Sequence, residues 1–331
     1  MKAKVVTLGE LTLRLSPFDF ERFVQADSFE VIFGGAEANV AIALSNLGND
    51  VTYVTKLVDN EMGQAAFNNI RRFGINTDYI VRGGDRLGIY YAEKGVGLRS
   101  PKVIYDRRNS SISKARIEEF DWDGIFEGKS LYFATGITAA ISKEGRDLVR
   151  YSIKEAKKRG LDIVFDLNYR SSLWTLDEAC DFYEEILPMV DILIGVLPTR
   201  HDYFTGDFND EVLSRMLKDI HEKYNIKYTI SSIRNSYSAS VNSLSAGLYN
   251  GKEYIKSQRY KFDIVDRIGG GDAFAAGLIH AYINGFEIHE ALDFATALSA
   301  LKHSIIGDYA IFNEKQVGRL VSGDKRMLSF S

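Results

Sequence analysis

The sequence predicts an α/β fold: a mostly parallel sheet flanked by helices, with a small antiparallel β lid at its side. Three observations carry this expectation. Apolar, strand-like runs alternate with amphipathic, helix-like runs along most of the chain, and repeated β–α units imply a parallel sheet covered on both faces. Two segments, about 11–33 and 87–108, break that rhythm with alternating polar and apolar residues such as LTLRLS and LGIYYAEKG, the pattern of half-exposed strands. Four prolines and no low-complexity tract leave no evident linker, so the 331 residues are expected to form a single domain with the two alternating segments as its lid.

The elements follow in order. KVVTLGE, Lys4 to Glu10, reads as a buried strand ending in a turn. Glu37 to Gly48 reads as a helix, because Val40, Ala43, Leu44 and Leu47 fall at i, i+3, i+4 and i+7 and Gly48 is a natural stop. Val51 to Val58 returns as a strand, and Met62 to Gly74 is the next helix, again closed by glycine. The alternation resumes with strand SLYFATG, helix GRDLVRYSIKEAKKRG, strand DIVFDLNYR, helix LDEACDFYEEILPMV, strand DILIGV, helix LSRMLKDIHEKY and strand KYTISSI.

Composition narrows the function classes. An apolar fraction of 45%, a charged fraction of 26% and a net charge of −4 describe an ordinary globular chain and give no basic footprint for nucleic acid. No run is long and apolar enough for a membrane span, and MKAKVVTLGE reads as a strand rather than a signal peptide. The lone cysteine, Cys180, excludes an internal disulfide and any multi-cysteine metal site, and the cytoplasm is the expected compartment. Scattered histidines without H-E-x-x-H argue against a dedicated transition-metal site.

The sharpest motif is DRIGGGDAFAAGLIH, Asp266 to His280, in which Gly269, Gly270 and Gly271 deliver Asp272 to the start of a helix. Bare N–H groups at a helix N-terminus converge on an anion, and an acid beside a phosphate makes sense as the acceptor of a hydroxyl proton. The plainer alternative is a tight turn with Asp272 as N-cap. FGGAEAN, Phe33 to Asn39, sets Gly34 and Gly35 before the first helix with Asn39 one turn in; this fits close approach to a polar ligand as well as it fits a simple helix start. DLNYR places Asp166, Asn168 and Arg170 at i, i+2 and i+4 beyond an apolar strand, at the carboxyl end where open α/β sheets bind ligands. Arg170 there suits a carboxylate or phosphate, a surface salt bridge being the alternative. Tyr105 and Arg107 share one face of a lid strand, with Tyr90 on the other, an arrangement for an anionic polyol or for a solvated edge. GIFEGKS is one residue short of a Walker A loop and precedes a strand, and no early G-x-G-x-x-G follows the first strand.

Together these residues resemble the PfkB/ribokinase family of sugar kinases. Its signatures GG-x-x-x-N and D-x-x-G-x-G-D stand here as Gly34, Gly35, Asn39 and as Asp266, Gly269, Gly271, Asp272, and the similarity spans essentially the whole chain. Within the family, VTKLVDNEMG, RGGDRLGIYY, VIYDRR, FDLNYRSSLW and LKHSIIGD look like 2-keto-3-deoxygluconate kinases. The resemblance implies one ribokinase-like domain over 1–331 that phosphorylates the 6-hydroxyl of 2-keto-3-deoxygluconate with ATP, using Mg²⁺ and, as a further candidate, a monovalent cation. It makes Asp272 the base and the backbone from Gly269 to Asp272, Gly270 included, an anion hole. Gly34, Gly35, Asn39, Tyr90, Tyr105, Arg107, Arg170 and Asp308 would face the sugar acid, with both arginines on its carboxylate. Asn168, Arg234, Gly269, Gly271 and Ala300 would face ATP. The helix dipole is expected to keep Asp272 ionised as a weak base.

Two stretches depart from the family pattern. GVLPTRHDYFTG stands where many members carry N-x-x-E, with Asp202 as a candidate substitute, and ISSIRNSYSAS replaces a Gly-rich turn, so the metal ligands stay open. A homo-oligomer through the lid is expected by analogy. Three other functions compete. A kinase of fructose or another neutral sugar is opposed by Arg107 and Arg170, a non-catalytic sugar sensor by the intact Asp272 turn, and a nicotinamide dehydrogenase by the missing fingerprint.

Overall fold

The computed structural model describes residues 4–197 and 209–323. In chain order its strands are β1 (Lys4–Leu8), β2 (Thr12–Ser16), β3 (Glu30–Gly34), β4 (Asp50–Val54), β5 (Lys56–Leu57), β6 (Val81–Arg82), β7 (Ile89–Glu93), β8 (Lys102–Asp106), β9 (Leu131–Thr135), β10 (Asp162–Asp166), β11 (Ile192–Ile194), β12 (Tyr228–Ser236), β13 (Val241–Tyr249), β14 (Tyr254–Lys256) and β15 (Tyr260–Asp263). The main sheet runs β14-β13-β12-β11-β10-β9-β1-β4, with β15 also on β13. From β4 to β12 every neighbouring pair is parallel, as β–α alternation requires.

Successive residues of the central strands serve opposite layers. Val5, Phe133 and Val164 belong to a core shared with helices Ala36–Asn46, Gly270–Ile283 and Ile288–Lys302. Val6, Tyr132 and Ile163 belong to a second core, with helices Lys143–Lys158 and Leu176–Ile186. This period of two across buried strands explains why they read as continuous apolar runs.

Two stretches differ from the sequence reading. Residues 241–263, for which no element was expected, extend the sheet antiparallel as β13, β14 and β15. VNSLSAGLY carries β-branched and aromatic residues only at its two ends, Val241 and Tyr249, yet β13 is buried along almost its whole length, and helices Asp210–Tyr224 and Ile288–Lys302 pack on it. The DLNYR strand stops at Asp166, and Asn168 turns the chain in a left-handed conformation with φ 38°. Asp166, Asn168 and Arg170 therefore do not share a face by strand alternation; the turn brings them to the same place.

The lid is a four-stranded sheet in the order β3-β2-β7-β8. Its outer pairs are antiparallel, and β2 and β7, far apart in sequence, run parallel in its middle. Arg14 on β2 fastens it to the body. Its guanidinium, 1% exposed, pairs with Asp266 at 2.8 Å and Asp308 at 2.7 Å, and its Nε donates to Ser16 at 2.7 Å. The Tyr90 hydroxyl on β7 donates to the other oxygen of Asp308. Such a buried network adds little net stability but fixes geometry, because any other arrangement strands a charge.

The glycine triplet now divides by role. Gly269 has φ 83°, and a Cβ there would run into the backbone carbonyl of Asp308. Gly270 is crowded by the His303 ring, whereas a Cβ on Gly271 would meet no protein atom. Gly269→Ala should lower stability by on the order of 2 kcal/mol or more. Gly271→Ala should change it by less than about 0.5 kcal/mol. Thermal or denaturant melts of the two variants check this, and equal midpoints would contradict it.

Candidate active site

A cleft of about 670 Å³ opens where the carboxyl ends of β10 and β11 meet the lid and the start of helix Gly270–Ile283. That helix has no side-chain cap, so its first-turn amides, including those of Gly271 and Asp272, take no acceptor from a capping side chain. An anion at this mouth would supply the acceptor. Gly271 leaves that approach open although the protein's own packing does not require a glycine there.

Asp272 faces the cleft and accepts a hydrogen bond from the Asn39 amide at 2.7 Å. Burial pushes its pKa up to about 6, aided by Asp308, while Asn39, Arg170 and Lys302 hold it down. This corrects the expectation of a weak base: enclosure outweighs the helix N-terminus, so the carboxylate is a better proton acceptor near neutral pH than an ordinary aspartate. Asp166, pushed up to about 7 by burial and by Asp272, lies in the same cleft.

Most of the expected residues converge here. Gly35, Asn39, Tyr90, Tyr105, Arg107, Asn168, Arg170, Arg234, Gly269, Gly270, Gly271, Asp272 and Asp308 all line the cleft. Gly34 and Ala300 do not. Gly34 is bare because a Cβ would collide with the Asp308 carboxylate. On helix Ile288–Lys302 the cleft-facing positions are Ser299 and His303, one turn apart, and Ala300 points elsewhere. Asp202 lies outside the described residues. Asp308 and Tyr90, expected at the sugar, are committed to each other and to Arg14, so Asp308 meets the cleft as a braced wall.

The arginines differ in a way the sequence does not show. Arg107 is paired with Glu10, a residue 2% exposed, through its Nε at 2.8 Å and one terminal nitrogen, and lies 5.7 Å over the Tyr105 ring. Arg170 has no acid within ion-pair distance among the described residues, and its charge lowers the pKa of both Asp272 and Asp166. Arg267, which the motif reading passed over, lines the cleft with Arg234, and burial together with repulsion from Arg234 lowers the Arg267 pKa. Burial brings His303 down to about 4, with the charges of Lys302, Arg234 and Arg267 acting in the same direction. Two guanidiniums held together beside an open helix N-terminus suit a polyphosphate, which relieves their repulsion.

Glu37 was also missed. Its carboxyl is fully buried beside the cleft, where one oxygen accepts from the Thr135 amide, the Thr135 hydroxyl and the Thr138 hydroxyl at 2.8 to 3.2 Å. Burial pushes it up to about 7. A Cβ on Gly9 would collide with it. It ties the first helix to the end of β9, and only the acid inside an otherwise small, apolar helix start hinted at it.

The chain matches the model of the pfkB family carbohydrate kinases over residues 2–314. It is 32% identical to a 2-dehydro-3-deoxygalactonokinase of Haloferax volcanii, over 98% of each chain. Among solved structures it resembles the 2-dehydro-3-deoxygluconokinase of Thermotoga maritima, at 40% identity and a TM-score of 0.92 over 97% of this chain and all of that one. A PfkB family carbohydrate kinase of Listeria grayi follows at 36% identity and a TM-score of 0.89, over 96% of this chain and 99% of that one. Among the described residues no helix is long and apolar enough to cross a membrane.

The Asp272 environment sets a pH dependence. Were Asp272 the proton acceptor, its carboxylate would be the reactive form, and kcat/KM should rise with pH through a midpoint near 6 and be lost below it. Asn39→Ala removes a bond that favours the ionised form, so its midpoint should move up. A profile flat across that range, or an unmoved midpoint, would exclude Asp272 as the titrating group.

Proposed function

The chain belongs to the pfkB family of carbohydrate kinases, and we propose that it transfers the γ-phosphoryl group of ATP to the 6-hydroxyl of 2-keto-3-deoxygluconate. The observation that carries this reading is the juxtaposition, in one cleft, of Asp272 at a helix start with no side-chain cap and of Arg170 with no acid partner among the described residues. The first supplies the means of phosphoryl transfer to a hydroxyl. The second supplies a charge for a substrate carboxylate.

In this reading the sugar acid lies under the lid, its carboxylate on Arg170 and Arg107 and its 6-hydroxyl on Asp272. The hydroxyl proton passes to Asp272, the oxygen bonds to the γ-phosphorus, and the bond from that phosphorus to the β–γ bridging oxygen breaks, releasing ADP. Asn39 holds Asp272 in line. The Gly271 and Asp272 amides, with Arg234 and Arg267, take up the charge on the phosphoryl oxygens. Mg²⁺ is commonly held by one or two carboxylates together with phosphate and water. Asp166 fits that role, because its ionised form is disfavoured until a cation arrives. Bound there with ATP, Mg²⁺ would neutralise phosphate charge.

A neutral-sugar kinase is the second reading, and the Glu10–Arg107 pair favours it, since Glu10 already cancels one of the two guanidinium charges. The Haloferax and Thermotoga relatives are named for sugar acids that differ in configuration at one carbon. The decisive assay is ADP release with ATP and Mg²⁺ against 2-keto-3-deoxygluconate, 2-keto-3-deoxygalactonate, fructose and ribose. Turnover of the gluconate acid well above the rest supports the proposal, and preference for a neutral sugar overturns it.

Two variant sets sharpen it. Asp272→Asn should lower kcat by roughly 10²–10⁴ while ATP binding, read by calorimetry, changes little. A variant keeping more than about a tenth of the activity would refute the base assignment. Arg170→Ala should cost about 10–150-fold in kcat/KM for the keto acid, the worth of one charged hydrogen bond, and leave residual fructose turnover nearly unchanged. Arg107→Ala should shift the same ratio in the same direction, with an added loss on both substrates because Glu10 is left buried without its partner. Equal proportional losses on both substrates for Arg170→Ala would exclude carboxylate recognition.

A further inference from the structure

Lys302 has no exposed surface and does not line the cleft. It ends helix Ile288–Lys302, directly behind the turn that carries the glycines. Its ammonium donates to the backbone carbonyls of Asp266 at 3.1 Å and Ile305 at 3.5 Å. The carboxylates of Asp266 and Asp308 oppose the effect of burial on its charge, and Arg14 reinforces it. No step described above uses this residue. An ammonium removed from water is costly unless the surrounding oxygens fix it in place.

The oxygens around it suggest its purpose. Backbone carbonyls backed by carboxylates, converging on a single positive charge, are the surroundings in which proteins hold alkali cations. The two carbonyls come from the segments that shape the reactive turn. Asp266 begins that turn, and its carboxylate accepts from the Ile268 and Gly307 amides. Ile305 begins the loop whose Asp308 carbonyl packs against Gly269.

We propose that Lys302 is a built-in cation: its ammonium occupies the place of a monovalent metal ion behind the anion-binding turn, fixes that turn, and makes turnover independent of such ions. The monovalent cation that the sequence suggested as a cofactor therefore does not fit at this position, because the chain's own side chain fills it. Lys302 is a positioning residue; it touches neither the phosphate mouth nor the sugar pocket.

The proposal rests on the kinase reading, which is tested separately by whether the wild-type protein turns over ATP in any salt. Wild-type kcat should agree within about twofold in K⁺, Na⁺ or tetramethylammonium chloride at equal ionic strength. Lys302→Ala leaves a vacancy. It should lose at least about tenfold in kcat in tetramethylammonium and recover with saturable dependence on K⁺ or NH₄⁺. Its Tm should rise with the same ions while that of the wild type does not. Its acid limb should stand above that of the wild type without the ion and return with it, because Lys302 helps hold down the Asp272 pKa. Lys302→Met fills the space and should be slow in every salt. Stimulation of the wild type by K⁺, or a Lys302→Ala variant indifferent to the cation in both activity and Tm, would overturn the proposal. If Lys302→Ala does not fold in tetramethylammonium, refolding yield becomes the readout, and no gain in K⁺ or NH₄⁺ overturns it equally.

Discussion

Asp266 does not reach the cleft, yet the site depends on how it is held. One carboxylate oxygen accepts from the Ile268 amide, the other from the Gly307 amide and the Arg14 guanidinium, its backbone amide donates to His303, and its carbonyl accepts from Lys302. Five contacts on one residue leave the turn a single course. The left-handed Gly269 and the uncapped helix start follow from that course, and with them the position of Asp272. The lid hangs on the same point through Arg14, so the lid over the cleft and the helix start at its floor share one anchor.

The charges around that anchor nearly balance. Asp266 and Asp308 are matched by Arg14 and Lys302, all deeply buried. Asp272 is the acid left over. Burial, with the Asp308 charge nearby, raises its pKa above that of an ordinary aspartate, and Asn39, Arg170 and Lys302 offset this only in part. At this anchor the two other acids, Asp266 and Asp308, are matched by cations, and Asp272 is not. Replacing any of those partners should therefore be felt at Asp272, even though none of them touches a substrate.

The parallel sheet was legible because its strands are apolar runs and its helices have clear stops. The β13 hairpin was not, because the small and polar residues in the middle of that strand owe their place to the helices packed on it. Asp272, Asn39 and the glycines were legible because their spacing encodes contacts along one turn or one helix. What the sequence hid lies between distant segments: Glu10 neutralising Arg107, Arg267 beside Arg234, Glu37 under Thr135 and Thr138 at the end of β9, and Lys302 behind the turn. The raised pKa of Asp272 was hidden for the same reason, since enclosure is a property of the assembled fold. DLNYR shows the limit from another side. Its residues reach the cleft as expected, but through a left-handed turn at Asn168 that no alternation pattern implies.

The bond between Arg14 and Asp308 joins residues 294 positions apart. A chain emerging from the ribosome has completed its lid strands long before Asp308 is made. Until then Arg14 lacks one of its two acids, and Gly269 lacks the Asp308 carbonyl it packs against. The growing chain can thus assemble most of its sheet from local β–α units while its reactive centre stays unformed, since pairings of such long range close late.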